Sequence, residues 1–149
     1  MQTYYKHLAI DFYGCASNQL IDNTQITEHF FSMLANIGLT CSEQLVYKRS
    51  PDGLSITAFI SIGHIILHIM PGLKYAGLDI FTNEQELFPE KIIPLLKSYL
   101  KPEKTKITHI RRGGFSNQSD MKPRIKISIS PLRRVKNTGA KVLKLFKRK

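Results

Sequence analysis

The sequence predicts an α+β fold, a two-layer α/β sandwich in which an antiparallel sheet carries two helices on one face. Segments rich in β-branched and aromatic residues are joined by short turns containing Pro and Gly, which is typical of antiparallel hairpins. Two other segments have apolar residues at helical spacing. The predicted order is β-α-β-β-β-β-α-β, and a length of 149 residues suits one domain with an appendage.

The first strand is predicted over residues 7–13, before Gly14. Asp22 or Asn23 can cap the first helix, and Gly38 supplies its end. The buried side of this helix is predicted from five apolar residues at helical spacing: Ile26, Phe30, Phe31, Leu34 and Ile37.

Four strands follow as two hairpins, because each pair of apolar segments flanks a turn sequence. Residues 45–49 and 54–61 flank Ser50-Pro51-Asp52-Gly53, and residues 64–70 and 75–81 flank Pro71-Gly72.

The second helix is predicted to begin near Pro89, because proline suits the first turn of a helix. Residues 104–112 form the last predicted strand. The buried side of the second helix is predicted from Ile92, Ile93, Leu95, Leu96 and Leu100.

Charge divides the chain into a domain over residues 1–114 and a basic tail over residues 115–149. Half of the 22 Lys and Arg residues lie after Arg112, where Asp120 is the one acidic residue. Residues 131–149 form a basic amphipathic segment, which can lie on an anionic membrane surface. Binding of nucleic acid is the less favoured alternative, because the tail has few aromatic residues for stacking. A solvated extension also accounts for the tail.

The cysteines Cys15 and Cys41 have neither disulfide-framework nor zinc-site spacing, so no metal site is expected. A reducing cytoplasm is therefore the expected location, with peripheral contact at the inner membrane surface as an extension of it. The N-terminus lacks the apolar run of a signal peptide, and the apolar stretch over residues 58–70 is too short to span a bilayer.

Residues 61–71 (SIGHIILHIMP) and 75–82 (YAGLDIFT) resemble the core of the prokaryotic S-adenosylmethionine decarboxylases. The resemblance covers about residues 5–114. It implies the fold of that family and a homodimer whose sheets pair, with active sites near the protomer interface. Further matching positions are His7-Leu8, Phe12-Tyr13, Cys15, Pro51, Gly53, Ser55, Arg111, Arg112 and Gly113.

The departures from the family pattern fall at its chemistry. In that family the chain cuts itself before a serine, which becomes the pyruvoyl group that accepts electrons during decarboxylation. Gly63 stands at that position and has no side-chain oxygen, so no pyruvoyl cofactor is expected. Ser55 and His68 match residues that assist self-cleavage. Asn83 occupies the position of the catalytic cysteine that donates a proton, which an amide does not do at neutral pH.

Two positions that bind the ligand in that family carry different residues here, which changes the expected ligand. Arg49 replaces an aromatic residue that stacks on adenine in the family, and Gly72 replaces a glutamate that binds ribose. Because Arg49 and Lys74 add positive charge, an anionic or phosphate-bearing nucleoside becomes plausible. The predicted ligand-binding residues are Arg49, Ser55, Gly63, His64, His68, Tyr75 and Asn83.

Several side chains have two interpretations. His64 and His68 serve either acid–base or metal chemistry, or they are inherited packing residues. The packing interpretation is favoured, because no nearby carboxylate or cysteine completes a set of metal ligands. Asp11 and Asp79 orient a histidine, bind a ribose hydroxyl or serve as structural carboxylates. Tyr75 lines the pocket or packs in the core. If the site is catalytic, the candidates are His68, Asp11 and Ser55.

The sequence supports three hypotheses for the function of this chain. The first is a non-decarboxylating relative that binds S-adenosylmethionine or a related nucleoside, acting as a regulator or as a subunit paired with an active homologue. The second is a lyase that splits S-adenosylmethionine, or its adenylated form, into a methylthioadenosine-type product and homoserine lactone. The third is an adaptor that binds a membrane surface or nucleic acid through its basic tail.

Overall fold

The computed structural model describes residues 5–49, 52–83 and 88–113, in which six strands form one antiparallel sheet. The strands follow the spatial order β2-β3-β4-β5-β1-β6. The element bounds are β1 Tyr5–Tyr13, α1 Asn23–Asn36, β2 Cys41–Arg49, β3 Gly53–Ile60, β4 Gly63–Met70, β5 Tyr75–Asn83, α2 Ile92–Leu100 and β6 Lys104–Arg112.

Side chains alternate along the four central strands and so separate two faces of the sheet. In β1 the side chains of Leu8, Ile10 and Phe12 are buried, and their neighbours in the chain are more exposed. The same alternation runs through β3, β4 and β5, whose buried residues join those of α1 and α2 in one core. Both helices therefore cover the same face, as the sequence predicts.

Local chemistry fixes the ends of α1. The carboxylate of Asp22 accepts hydrogen bonds from the backbone N–H groups of Thr24 and Gln25, both at 3.0 Å, so Asp22 is the N-cap. Gly38 follows the helix with φ +81°, a conformation that favours glycine.

The second helix starts later than Pro89. Residues Pro89–Lys91 form a 3₁₀ turn, and α2 covers Ile92–Leu100. Of its predicted apolar side, Leu95 is only half-buried, and the other four residues are buried. The proline is thus placed in a turn that leads into the helix.

One ion pair joins the end of the sheet to that turn. Lys6 Nζ lies 2.9 Å from the carboxylate of Glu90. Burial opposes ionisation of Glu90, but the hydrogen bond from Lys6, a backbone hydrogen bond and the nearby positive charges together outweigh it, so the pKa of Glu90 lies below its ordinary value. The contribution of this pair to stability is present at neutral pH and is lost as the pH falls through the carboxyl titration.

The predicted basic tail, including residues 131–149, lies outside the described residues, as do Ser50 and Pro51 of the first hairpin turn. Within the described parts of the chain, no helix has the length and apolar character needed to cross a membrane.

Removing the N-cap of α1 tests the account of this helix. We expect Asp22→Ala to lower the free energy of unfolding by about 1 kcal/mol, because two backbone donors lose their acceptor. Urea denaturation measures the change. Glu28→Ala, at an exposed position within α1, is the control and should change stability by less than about 0.5 kcal/mol. Equal effects of the two substitutions would contradict the capping role.

Candidate functional site

The polar candidates lie on the sheet face opposite the helices. Strand register places Ser55, His68, Gly77 and Asp11 in one row across β3, β4, β5 and β1. Because side chains alternate between the faces of a strand, residues two positions away in the same strands share this face. The strands thus bring together side chains that are far apart in sequence.

A polar network crosses this open face. Arg49 Nη2 donates to Ser55 Oγ at 3.1 Å, and Ser55 Oγ lies 2.8 Å from His68 Nδ1. The other ring nitrogen of His68 lies 3.6 Å from Asp79 Oδ2, within ion-pair range. His7 Nε2 lies 3.3 Å from the second oxygen of Asp79. The carboxylate therefore stands between two histidines.

Asp11 has a different partner from the one considered in the sequence analysis. The hydroxyl of Tyr75 donates to Asp11 Oδ1 at 2.6 Å, whereas Asp79 is the carboxylate beside His68. Burial, followed by the hydrogen bond to Asp11, raises the pKa of Tyr75 well above its ordinary value. Tyr75 is thus a neutral donor at physiological pH. Gly77 makes this arrangement possible, since a Cβ there would lie 2.8 Å from the Tyr75 hydroxyl oxygen.

A cavity of about 230 Å³ opens beside the polar network and the Asp11–Tyr75 pair. Its side-chain functional groups come from Asp11, Arg49, His68, Tyr75 and Asp79. Lys74 is exposed and is not among the residues that line it. Arg49 is therefore the basic group at a cavity that also holds two carboxylates, so its charge is balanced more than the sequence suggests.

His64 belongs to an aromatic cluster and not to the polar network. Its ring stacks on Phe81 at a centroid distance of 5.3 Å, and Tyr5 stacks on Phe81 at 5.1 Å. The guanidinium of Arg112 lies 5.4 Å from the centroid of the Phe81 ring. The packing interpretation therefore describes His64, whereas His68 has polar partners at both ring nitrogens.

Gly63 lies where the backbones of β4 and β5 approach closely. Its φ is +151°, which side chains of L-residues rarely adopt. A Cβ built on Gly63 would collide with the carbonyl oxygen of Phe81 and would lie 3.0 Å from the Cα of Thr82. This backbone conformation has room for glycine and not for serine.

Asn83 lies at the end of β5 beside this position. Its backbone N–H donates to the carbonyl of Ile62 at 3.0 Å. Among the described residues, its buried side-chain oxygen has no hydrogen-bond partner. An unpaired buried acceptor is costly, so the site favours a donor group at Asn83 Oδ1.

Two further features of the chain concern cysteine chemistry and metal binding. Cys15 is buried, and burial raises the pKa of its thiol, which suits packing more than nucleophilic chemistry. Within residues 5–49, 52–83 and 88–113, no group of three His, Cys, Asp or Glu side chains is arranged to hold a metal ion.

His7 belongs to the network, although the sequence predicts for it only a strand position that matches the family and no role in the site. Its alternation with Leu8 and Ile10 places it on the face of Asp11, so the pattern contained part of the signal. Its pairing with Asp79 depends on the neighbouring positions of β1 and β5, which are far apart in sequence.

Comparisons with known proteins agree with this architecture. The family model for S-adenosylmethionine decarboxylase matches residues 6–113. The S-adenosylmethionine decarboxylase proenzyme of Methanococcus maripaludis strain S2 is 38% identical over 112 residues, which covers 72% of this chain and 88% of that protein. The corresponding proenzyme of Clostridium botulinum strain Hall is 36% identical over 111 residues, covering 72% and 92%.

A solved structure shares the fold. The crystal structure of the adenosylmethionine decarboxylase from Aquifex aeolicus matches with a TM-score of 0.67 at 21% identity. The match covers 79% of this chain and 100% of that chain. The six-stranded antiparallel sheet with two helices is therefore the architecture of that protein as well.

The close approach at Gly63 predicts a large effect of a single methyl group. We expect Gly63→Ala to lower the free energy of unfolding by about 1–3 kcal/mol, because the side chain meets the Phe81 carbonyl in a strained backbone conformation. Urea denaturation measures this change. Gly72→Ala is the matched control, since a Cβ at Gly72 meets nothing within 4 Å, and it should be nearly neutral.

The same geometry predicts the outcome of restoring the serine. Gly63→Ser should remain uncleaved when its intact mass is measured, because its side chain fits only if β4 and β5 separate locally. Cleavage before residue 63 in this variant, or a Gly63→Ala variant as stable as Gly72→Ala, would contradict the described backbone.

Proposed function

Since the chain belongs to the S-adenosylmethionine decarboxylase family, we propose that it is a non-decarboxylating member that binds S-adenosylmethionine or a related nucleoside. It acts in this proposal as a regulator or as a partner subunit. The observation that carries the proposal is Gly63, whose backbone conformation excludes a side chain and so excludes a pyruvoyl precursor.

A second missing group supports the loss of decarboxylation. The family resemblance assigns proton donation to a cysteine at the position of Asn83. An amide does not exchange a proton with a reacting carbon at neutral pH. The self-made electron acceptor and the proton donor are therefore both absent, and no pyruvoyl cofactor is expected in this chain.

The residues around the cavity suit a nucleoside that carries a cationic amino-acid group. Asp11 and Asp79 offer carboxylate oxygens for an ammonium or a ribose hydroxyl. Arg49 offers a planar guanidinium for a carboxylate, a phosphate or a purine face. S-adenosylmethionine and its phosphate-bearing derivatives carry groups of these classes.

Cavity size supports the role of a partner subunit. The cavity measures about 230 Å³, below the roughly 300–1,000 Å³ of common small-molecule sites. One protomer therefore encloses only part of a nucleoside. On the open face, Leu45 and Tyr47 of β2 are 61% and 65% exposed, which provides apolar area for a second chain. We propose that a homodimer, or a heterodimer with an active homologue, completes the site.

A lyase is the second candidate, and the 2.6 Å hydrogen bond between Tyr75 and Asp11 favours it. This bond fixes Asp11, whose other oxygen can hold the ammonium of the methionyl group. The substrate's own carboxylate would then attack its γ-carbon, and the carbon–sulfur bond would break with its electrons on sulfur. The products are methylthioadenosine and homoserine lactone, or the adenylated counterpart of the former. Such an intramolecular reaction requires a held conformer and no pyruvoyl group.

Calorimetric titration with S-adenosylmethionine tests nucleoside binding. We expect saturable binding that weakens about tenfold in Tyr75→Phe, because Asp11 loses the donor that fixes it. Tyr99→Phe is the matched control, since the half-buried Tyr99 hydroxyl has no hydrogen-bond partner among the described residues. Absence of saturable binding at millimolar nucleoside would contradict the proposal.

Mass spectrometry of the nucleoside after incubation separates the two candidates. Unchanged S-adenosylmethionine, recovered with the protein, is the result expected for a binding subunit. Methylthioadenosine and homoserine lactone at a rate above the protein-free control would assign the lyase reaction instead. The adenylated form is tested in parallel, since Arg49 can hold its phosphate.

A further inference from the structure

Ser55, His68 and Asp79 have the order of a nucleophile, a base and an orienting carboxylate. Ser55 Oγ lies 2.8 Å from one ring nitrogen of His68, and Asp79 lies 3.6 Å from the other. Apo structures often hold such contacts longer than the reacting complex does. From this geometry we propose that Ser55 is a nucleophile with which the chain hydrolyses small carboxylic esters.

The hydrogen-bond directions aim the proton of Ser55 at the base. Arg49 donates to Ser55 Oγ, so that oxygen is an acceptor towards Arg49. The single hydroxyl proton is then free to point to His68 Nδ1. Asp79 favours the tautomer that carries its proton on Nε2, which leaves the Nδ1 lone pair facing Ser55. Arg49, His68 and Asp79 therefore all favour removal of the hydroxyl proton of Ser55.

Arg49 also supplies the charge that this chemistry needs. Its guanidinium lies 3.1 Å from Ser55 Oγ, beside the place where an ester carbonyl would accept the attack. The carbonyl oxygen becomes negative during the attack, and a fixed cation next to it lowers the barrier. A cation beside the serine also stabilises its alkoxide character.

Self-cleavage does not explain why these residues remain together. The family resemblance assigns Ser55 and His68 to assistance at a serine in the position of Gly63. Gly63 has no hydroxyl group to assist. The network is nevertheless complete, with Ser55, His68 and Asp79 contributed by three successive strands and linked to His7.

The proposed reaction balances with water as the co-reactant. Ser55 Oγ forms a bond to the carbonyl carbon while its proton passes to His68. The bond from that carbon to the alkoxy oxygen then breaks, and the leaving alcohol takes the proton from His68. Water, deprotonated by His68, then attacks the acyl carbon. The bond from that carbon to Ser55 Oγ breaks, His68 returns its proton to Ser55, and the carboxylic acid leaves.

The cavity indicates which esters would be preferred. The cavity of about 230 Å³ is lined by Arg49 and His68, the two hydrogen-bond partners of Ser55, and it accommodates a small acyl group. Asp11 also lines this cavity, so an acyl group carrying an ammonium gains a carboxylate partner. We therefore expect an amino-acid p-nitrophenyl ester to react faster than its N-acetylated form.

Labelling of the full chain with a fluorophosphonate probe tests the nucleophile. The probe loses fluoride as it binds an activated serine, and peptide mass spectrometry locates the modified residue. We expect modification at Ser55, with a labelling rate at least about 100-fold lower in His68→Ala. Ser61→Ala is the control, because Ser61 is exposed in the turn between β3 and β4 and should not affect labelling.

Asp79 is a positioning residue, and a pair of substitutions distinguishes its charge from its packing. Asp79→Asn should slow labelling and ester hydrolysis, whereas Asp79→Glu should restore part of both rates because it restores the charge. Equal losses in the two variants would overturn the positioning role. Circular dichroism of each variant confirms that it is folded.

The outcomes also separate this proposal from nucleoside binding. Labelling of Ser55 without binding of S-adenosylmethionine supports the nucleophile and contradicts the proposed ligand. Binding of S-adenosylmethionine by a folded wild-type chain whose Ser55 is not labelled overturns the nucleophile alone. Modification of a serine other than Ser55 overturns it as well.

Discussion

The sheet register is the constraint on which the rest of the structure depends. Four adjacent strands alternate in step, so one face of the sheet is apolar and the other carries the polar and aromatic side chains. A shift of one residue in any strand would exchange these faces and expose the core. The same register that buries Leu67 therefore holds Ser55, His68 and Asp11 in one row.

The packing of the backbone at Gly63 bears directly on the chemistry that the family resemblance implies at this position. The nearby Phe81 carries the stacked rings of Tyr5 and His64, and its carbonyl oxygen occupies the space that a side chain at Gly63 would need. The backbone at Gly63 therefore has no room for a serine side chain. The polar network on the same sheet contains the hydrogen bonds that join Arg49 to Ser55 and Ser55 to His68.

The sequence predicts the fold and part of the candidate site. Alternating apolar residues and turn sequences predicted all six strands, because those signals are local. The division of roles between His64 and His68 could not be predicted, since both lie on the same strand face and differ only in their neighbours across the sheet. Pairing of Asp11 with Tyr75 depends on the room left by Gly77, which has no local sequence signal.

We propose that this chain keeps the fold of the decarboxylase family without making a pyruvoyl group, and intact-mass analysis of the purified protein tests this proposal. One uncleaved species of 17.0 kDa is expected, with no second fragment. Two fragments joined in one particle, the second beginning at residue 63 with a blocked N-terminus, would contradict it.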